Sequence, residues 1–261
     1  FRTEEKAKPF RISFPNIEIV VGCDADNPDT LNKAFQGAQY ALIVTPHDPK
    51  RGIDDDARLT KNMIESAVAN NVEYIVLVAS WTVHFPEQLS LLSSRFKPSE
   101  ILLEKYGKEK GLKWTILRGG VFMENTISNV TQAVKTSVYN FPDILCPYID
   151  TKDIGRCAAV CLVATDKNEH HEKFYEMNGP EKLNGERLAE ICSKVFEKKI
   201  TFQSIAKEEF KKFMPDAVSQ VFEFMVENRN CVPFTNDVKN LTGEWSSYED
   251  FIRNHLNDFF N

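Results

Sequence analysis

The 261-residue chain has no surplus of positive charge: 32 Lys and Arg stand against 38 Asp and Glu, giving a net charge of -6. Without a basic field there is little to attract a phosphate backbone, so direct binding of nucleic acid is disfavoured. The six cysteines (Cys23, Cys146, Cys157, Cys161, Cys192, Cys231) include no CxxC pair of the kind that structural zinc sites favour, and they read as reduced thiols. Cys157 and Cys161 share a helical face but bring no third or fourth ligand, and His170-His171 lies in a charged loop, so no metal is expected. No stretch approaches the roughly 20 apolar residues that span a bilayer, and nothing near Phe1 resembles a secretory h-region. The cytoplasm is the expected compartment, with no membrane partner. The triplets Asn129-Val130-Thr131 and Asn240-Leu241-Thr242 therefore carry no weight as glycosylation sites. Ser80 and His84 lack a G-x-S-x-G elbow and an acid partner, which disfavours a hydrolase. An initiator Met is also lacking, and "FRTEEKAKPF" shows no strand or capping signal before it, as if cut from something longer.

What is present points to a parallel sheet. A chain of this length with 42% hydrophobic content can bury one large domain or a domain with an appended lobe. Residues 17–21, 40–44, 74–79 and 114–117 are short runs of Val, Ile and aromatics without strict alternation, the pattern of strands buried on both faces. Helical patterns lie between them. One runs from Pro28 to Phe35 after the capping cluster "DADN"; the next places Ala57, Met63, Ile64, Ala67 and Val68 on one face; a third carries Ile101, Leu102, Leu103 and Tyr106 after Pro98. The alternation predicts βαβ crossovers and an α/β, Rossmann-like sheet covered by helices over residues 1–150. Beyond that, residues 151–261 read as a smaller, mostly helical lobe with candidate strands in "KFYEMNG" and "ITFQSI".

Ligands of open parallel sheets bind beyond the carboxyl ends of the strands. Those ends carry "GCD", "TPHDP", "ASW" and "RGGVFMEN". Gly22, Gly119 and Gly120 permit close backbone approach or positive φ; Thr45 and Ser80 offer hydroxyls; Asp24 can accept a hydrogen bond. Taken singly, each is also what ends a strand anywhere. Trp81 beside Ser80 is a pocket candidate, and Phe122 serves equally as pocket wall or core.

The ordered set of segments "IEIVVGCDADNPDTLNKAFQGAQYALIVTP", "NNVEYIVLVASW", "GLKWTILRGGVFMEN", "PYIDTKDIGRCAAVCL" and "NGERLAEICSKVF" resembles the NmrA-like branch of the atypical short-chain dehydrogenase/reductases. In that resemblance "FRTEEKAKPF" matches the end of the second Rossmann strand, and the first strand, glycine-rich turn and first helix would precede Phe1. It implies a dinucleotide cofactor, NADP(H) rather than NAD(H), with Arg2 and Lys6 toward an adenosine 2′-phosphate. The same stretch is alternatively a solvated charged segment. The resemblance also implies Asp24 beside adenine, Thr45 and Pro46 along the dinucleotide, Ser80 and Gly120 near the nicotinamide, and Trp81, Phe122 and Asn125 about the acceptor. Related reductases carry a catalytic lysine where this chain has Glu100; Lys97, one turn earlier, either reaches the pocket in its place or forms a surface pair with Glu100. Three functions follow as expectations: a reductase of quinone-like or other conjugated small molecules, a non-catalytic NADP(H) sensor acting on a regulatory protein partner, or a product unable to bind nucleotide.

Overall fold

The computed structural model describes residues 1–46 and 53–259. Along the chain, α1 (Glu4–Ser13) and the single turn α2 (Asn32–Phe35) precede β1 (Tyr40–Val44), α3 (Ile53–Ala69), β2 (Tyr74–Ser80), α4 (Ser90–Lys110) and β3 (Lys113–Gly119). There follow α5 (Ile127–Thr136), β4 (Val138–Phe141), α6 (Thr151–Val163), β5 (Lys173–Met177), α7 (Gly185–Val195) and β6 (Thr201–Ser204). Four helices close the chain: α8 (Lys207–Phe210), α9 (Asp216–Glu227), α10 (Asp237–Thr242) and α11 (Tyr248–Asn254).

The main sheet has the order β1-β2-β3-β5, and all three pairings are parallel. Its centre is dry: Tyr74, Ile75, Val76 and Leu77 of β2 are at most 1% exposed. Each such apolar side chain contributes roughly 1.5–3 kcal/mol relative to leaving it in water. One face, through Ile75, Leu77, Trp114 and Ile116, packs on Ile64, Ala67 and Leu103 of α3 and α4; the other, through Val76 and Leu117, packs on Ile154, Cys157 and Cys161 of α6. A right-handed strand feeding a helix that returns over the sheet requires this layering. A second core gathers Tyr139, Phe141, Leu188, Val221, Tyr248 and Phe251 around the small parallel sheet β4-β6.

The division expected at residue 150 is not a clean cut, because β4 pairs with β6 in the smaller sheet while α6 and β5 return to the main one. Residues 17–21 form no strand. A strand needs a ladder, and among the described residues this segment's backbone is met instead by Phe1, whose N donates to Val20 O at 2.8 Å and whose carbonyl accepts from Cys23 N at 3.1 Å, and by Arg11 Nη2, which donates to Ile19 O at 3.0 Å. "FRTEEKAKPF" is mostly helical: Thr3 caps α1, its Oγ1 accepting from Lys6 N, with Glu4 and Glu5 favourably placed in the first turn. Helix α4 begins at Ser90, so Pro98 lies inside it rather than in its first turn. Its missing N–H removes one bond of the helix ladder there.

All six cysteines are free. Burial pushes the thiols of Cys157 and Cys192 up to about 12 and that of Cys161 to about 11, so these three stay protonated at neutral pH and are poor nucleophiles. Among the described residues, no helix is long and apolar enough to cross a membrane, and no group of three or more His, Cys, Asp or Glu could hold a metal ion.

Candidate active site

The parallel register sets the ends of β1, β2 and β3 along one rim, with Val44 beside Val78 and Ser80 beside Gly119. There a cleft of about 420 Å³ opens between the sheet, α4 and α9. Its floor is Thr45, Ala79, Ser80, Gly119 and Gly120; its walls include the rings of Trp81, Phe96, Phe122 and Phe222, and Asn125 stands at its edge. Volume and apolar lining suit a small-molecule site. A larger hollow of about 580 Å³ lies at the opposite ends of the strands, around Tyr40, Glu73, Lys113 and Lys167. Crossovers in a parallel sheet leave ligand crevices at the carboxyl ends, so the first cleft is the candidate.

Each strand end is shaped locally. Ser80 closes β2 and caps the following turn, its Oγ accepting from Thr82 N at 3.3 Å and from Thr82 Oγ1 at 3.1 Å. Trp81, only 2% exposed, belongs to the second core, edge-on to Phe85 with centroids 6.0 Å apart. Thr45 is 7% exposed, and its Oγ1 has no hydrogen-bond partner among the described residues. A buried hydroxyl left unsatisfied costs about 1–3 kcal/mol, a cost that a ligand atom in the cleft would relieve.

The paired glycines solve a packing problem between parts of the protein itself. Neither has a positive φ. A Cβ on Gly119 would lie 2.9 Å from the Phe122 ring, and one on Gly120 would lie 3.0 Å from the Met177 carbonyl, which accepts from Gly120 N at 2.9 Å. The sharp turn after β3 thus folds Phe122 back over its own strand. Gly119→Ala is expected to swing the ring into the cleft, at a stability cost below about 1.5 kcal/mol, because a ring edge yields where backbone does not. Thermal melting compared with ligand titration would separate the small stability change from the larger change in affinity.

Of the residues expected from sequence, Thr45, Ser80, Gly120, Trp81, Phe122 and Asn125 meet in this cleft. Pro46 is at its margin, its carbonyl accepting from Arg95 Nη2 at 3.1 Å. Residues 47–49 of the "TPHDP" segment lie outside the described residues. Asp24 is not in the lining: its Oδ1 accepts from Asp26 N, closing a turn that Arg58 of α3 ties down through Asp26 at 2.6 Å. Arg2 and Lys6 are exposed around the start of α1, also outside the lining.

Lys97 does not reach the cleft lining; its Nζ is 3.5 Å from Glu100 Oε2. Nor does Glu100 lie at the surface, as a surface pair with Lys97 would require. It is fully buried and accepts from Arg118 Nε at 3.0 Å and Nη2 at 2.9 Å, a two-pronged pair. Arg118 also lies 3.5 Å from Glu176 Oε1 and 4.2 Å above the Phe174 ring, and Glu176 Oε1 is 2.6 Å from His84 Nε2. These partners offset desolvation and raise the guanidinium's pKa.

Two features of the cleft were not anticipated. Val218, Val221 and Phe222 arrive from α9, about a hundred residues along the chain from β3, and no local pattern announces where such a helix docks. The other is Arg95, the sole charged residue in the lining among the described residues. Burial lowers its pKa, opposed by Asp56, yet an arginine stays charged at neutral pH.

The cleft fits part of a dinucleotide: small residues at the strand ends, an unsatisfied hydroxyl and one cation suit a ribose-and-ring moiety with acidic oxygens nearby. The chain is 23% identical over 255 residues, 93% of its length and 84% of the relative's, to a (4-alkanoyl-5-oxo-2,5-dihydrofuran-3-yl)methyl phosphate reductase of Streptomyces griseus. Its fold is similar to that of the Citrobacter sp. triphenylmethane reductase solved with NADP(H), at a TM-score of 0.81 and 18% identity, covering 97% of this chain and 88% of that one. It is likewise similar to an NADPH-dependent quinone oxidoreductase of Escherichia coli solved with NADPH, at a TM-score of 0.79 and 20% identity, with 98% and 88% covered. The model of the NmrA-like family matches residues 2–248, nearly the whole length, and the chain belongs to that family.

Proposed function

We propose that the protein is an NADP(H)-dependent reductase of flat, conjugated small molecules such as quinones. The observation that carries this reading is the convergence of Thr45, Ser80 and Gly120 with the rings of Trp81, Phe96, Phe122 and Phe222 in one cleft at the strand ends. Relatives and structural neighbours that reduce a furanone phosphate, a triphenylmethane dye and quinones support it. When bound, the nicotinamide supplies the hydride. The chain's own part is positioning. Thr45 Oγ1 and Ser80 Oγ are hydroxyls placed to hold ribose or amide groups, the glycine turn keeps the floor low, and the aromatic walls present an acceptor flat against it while excluding water. Among the described residues, the cleft lining holds no carboxylate, imidazole or lysine, and in this reading solvent supplies the proton of the reduced product. A quinone acceptor tolerates this, because its reduced oxygens are weak bases. Preference for NADP(H) over NAD(H) rests on Arg2 and Lys6 and is part of the same reading.

The test has two stages. Titration with NADPH, followed by nicotinamide fluorescence, is expected to saturate below millimolar concentration and at lower concentration than NADH. A panel of quinones is then expected to consume NADPH in proportion to enzyme. Binding without consumption would favour a sensor role toward a protein partner; no binding up to millimolar cofactor would remove both readings.

A further inference from the structure

We propose that Arg95 is the anion anchor of this cleft, fixing an acidic oxygen (phosphate, sulfonate or carboxylate) of the molecule bound there. The inference deepens the reductase reading and rests on the same cleft. Arg95 sits on α4 with its side chain 14% exposed, between Leu92 and Phe96, and the other described lining residues are uncharged. Bringing a guanidinium into such a place carries a desolvation cost unless its donors are used. Few are. Nε lies 2.9 Å from Asp56 Oδ2, yet the N–H is out of line and makes no hydrogen bond; Nη2 donates to Pro46 O at 3.1 Å. Nη1 makes no hydrogen bond among the described residues. Of the five N–H donors of a guanidinium, one is engaged among the described residues.

Asp56, 2% exposed, cancels much of the net charge and fixes the head group without occupying its fork. What remains is a directional donor set. A planar fork matches the paired oxygens of phosphate, sulfonate or carboxylate, whereas a lysine would offer only a point charge. Thr45 Oγ1, also buried, unpartnered and lining the same cleft, is a further hydrogen-bonding group for such a ligand.

The acidic oxygen could belong to the acceptor or to the cofactor, and two matched pairs of probes tell these apart. Calorimetric titration would use anthraquinone-2-sulfonate against its neutral sulfonamide, and NADPH against phosphate-free dihydronicotinamide riboside. Arg95→Lys keeps the charge and loses the fork. Because Arg95→Met alone would remove the cation beside the buried Asp56, the neutral variant is the double replacement Asp56→Asn/Arg95→Met. At least a tenfold loss of affinity for the charged member of one pair, with the neutral member within twofold, is expected in the double variant, and a smaller selective loss in Arg95→Lys. Selectivity in the quinone pair assigns the anchor to the acceptor; selectivity in the nucleotide pair assigns it to the cofactor. Equal losses for charged and neutral members, or none, overturn the proposal. Turnover is not the readout: selective binding without hydride transfer would sink the reductase reading and leave the anchor, whereas turnover with indifferent pairs would do the reverse.

Discussion

Glu100→Ala is expected to cost about 3–5 kcal/mol of unfolding free energy, measured by urea denaturation at neutral pH, because it strands a buried arginine. Arg118, 12% exposed on the side chain, gives two of its donors to Glu100 and retains a 3.5 Å approach to Glu176 and the face of the Phe174 ring once that carboxylate is gone. The double replacement Glu100→Leu/Arg118→Met is expected to recover most of the loss, since exchanging a buried ion pair for apolar groups of similar size is often close to neutral. The contrast matters for function. A carboxylate acting as a proton relay would show its effect in turnover while leaving stability nearly untouched; a carboxylate pinning Arg118 between α4, β3 and β5 does the opposite. A Glu100→Ala protein as stable as the parent would show that the pair does not hold these elements together.

The same residues show how far sequence alone reaches. The residues 40–44 assigned to a strand are β1 residue for residue, and the runs read as strands at 74–79 and 114–117 lie within β2 and β3. At 74–79 and 114–117 a run of Val, Ile and Leu buried on both faces has little alternative to a central parallel strand, whereas β1 is at the edge of the described sheet and leaves Tyr40, Leu42 and Val44 exposed instead of buried on both faces. Because all such strands end on one side, the strand-end rule brought Thr45, Ser80, Trp81, Gly120 and Phe122 together without any knowledge of contacts. Where the outcome depends on a partner far along the chain, the signal fades. Residues 17–21 have the composition of a strand and no ladder. Arg95 went unnoticed because the pattern after Pro98 set the helix too late, leaving "LSLLSSRF" unassigned, although those residues form the first turns of α4. Glu100, Arg118 and Glu176 come from three elements, and no spacing in the chain reveals that they meet.

Gly179→Ala is expected to destabilise the protein by about 3 kcal/mol, an overpacking cost at the upper end of the usual range, lowering Tm by roughly 6–12 °C. A Cβ at this position would lie 2.1 Å from the Tyr148 carbonyl oxygen, and backbone cannot swing aside as the Phe122 ring can beside Gly119. The strain would travel to the cleft. Ile149 N donates to Val121 O and Met123 N donates to Ile149 O, both at 2.9 Å, so the segment pushed by residue 179 carries the turn that places Phe122. Loss of ligand affinity is therefore expected alongside loss of stability. Gly155→Ala serves as the control: Gly155 lies within α6, a Cβ there meets nothing within 4 Å, and alanine's better helix propensity is expected to add roughly 0.5–1 kcal/mol. Differential scanning calorimetry of the two variants, with the anthraquinone titration repeated on each, checks both halves of the expectation. If Gly179→Ala melts with the parent while still weakening the ligand, the Tyr148 segment yields freely and the turn takes its shape from some other support.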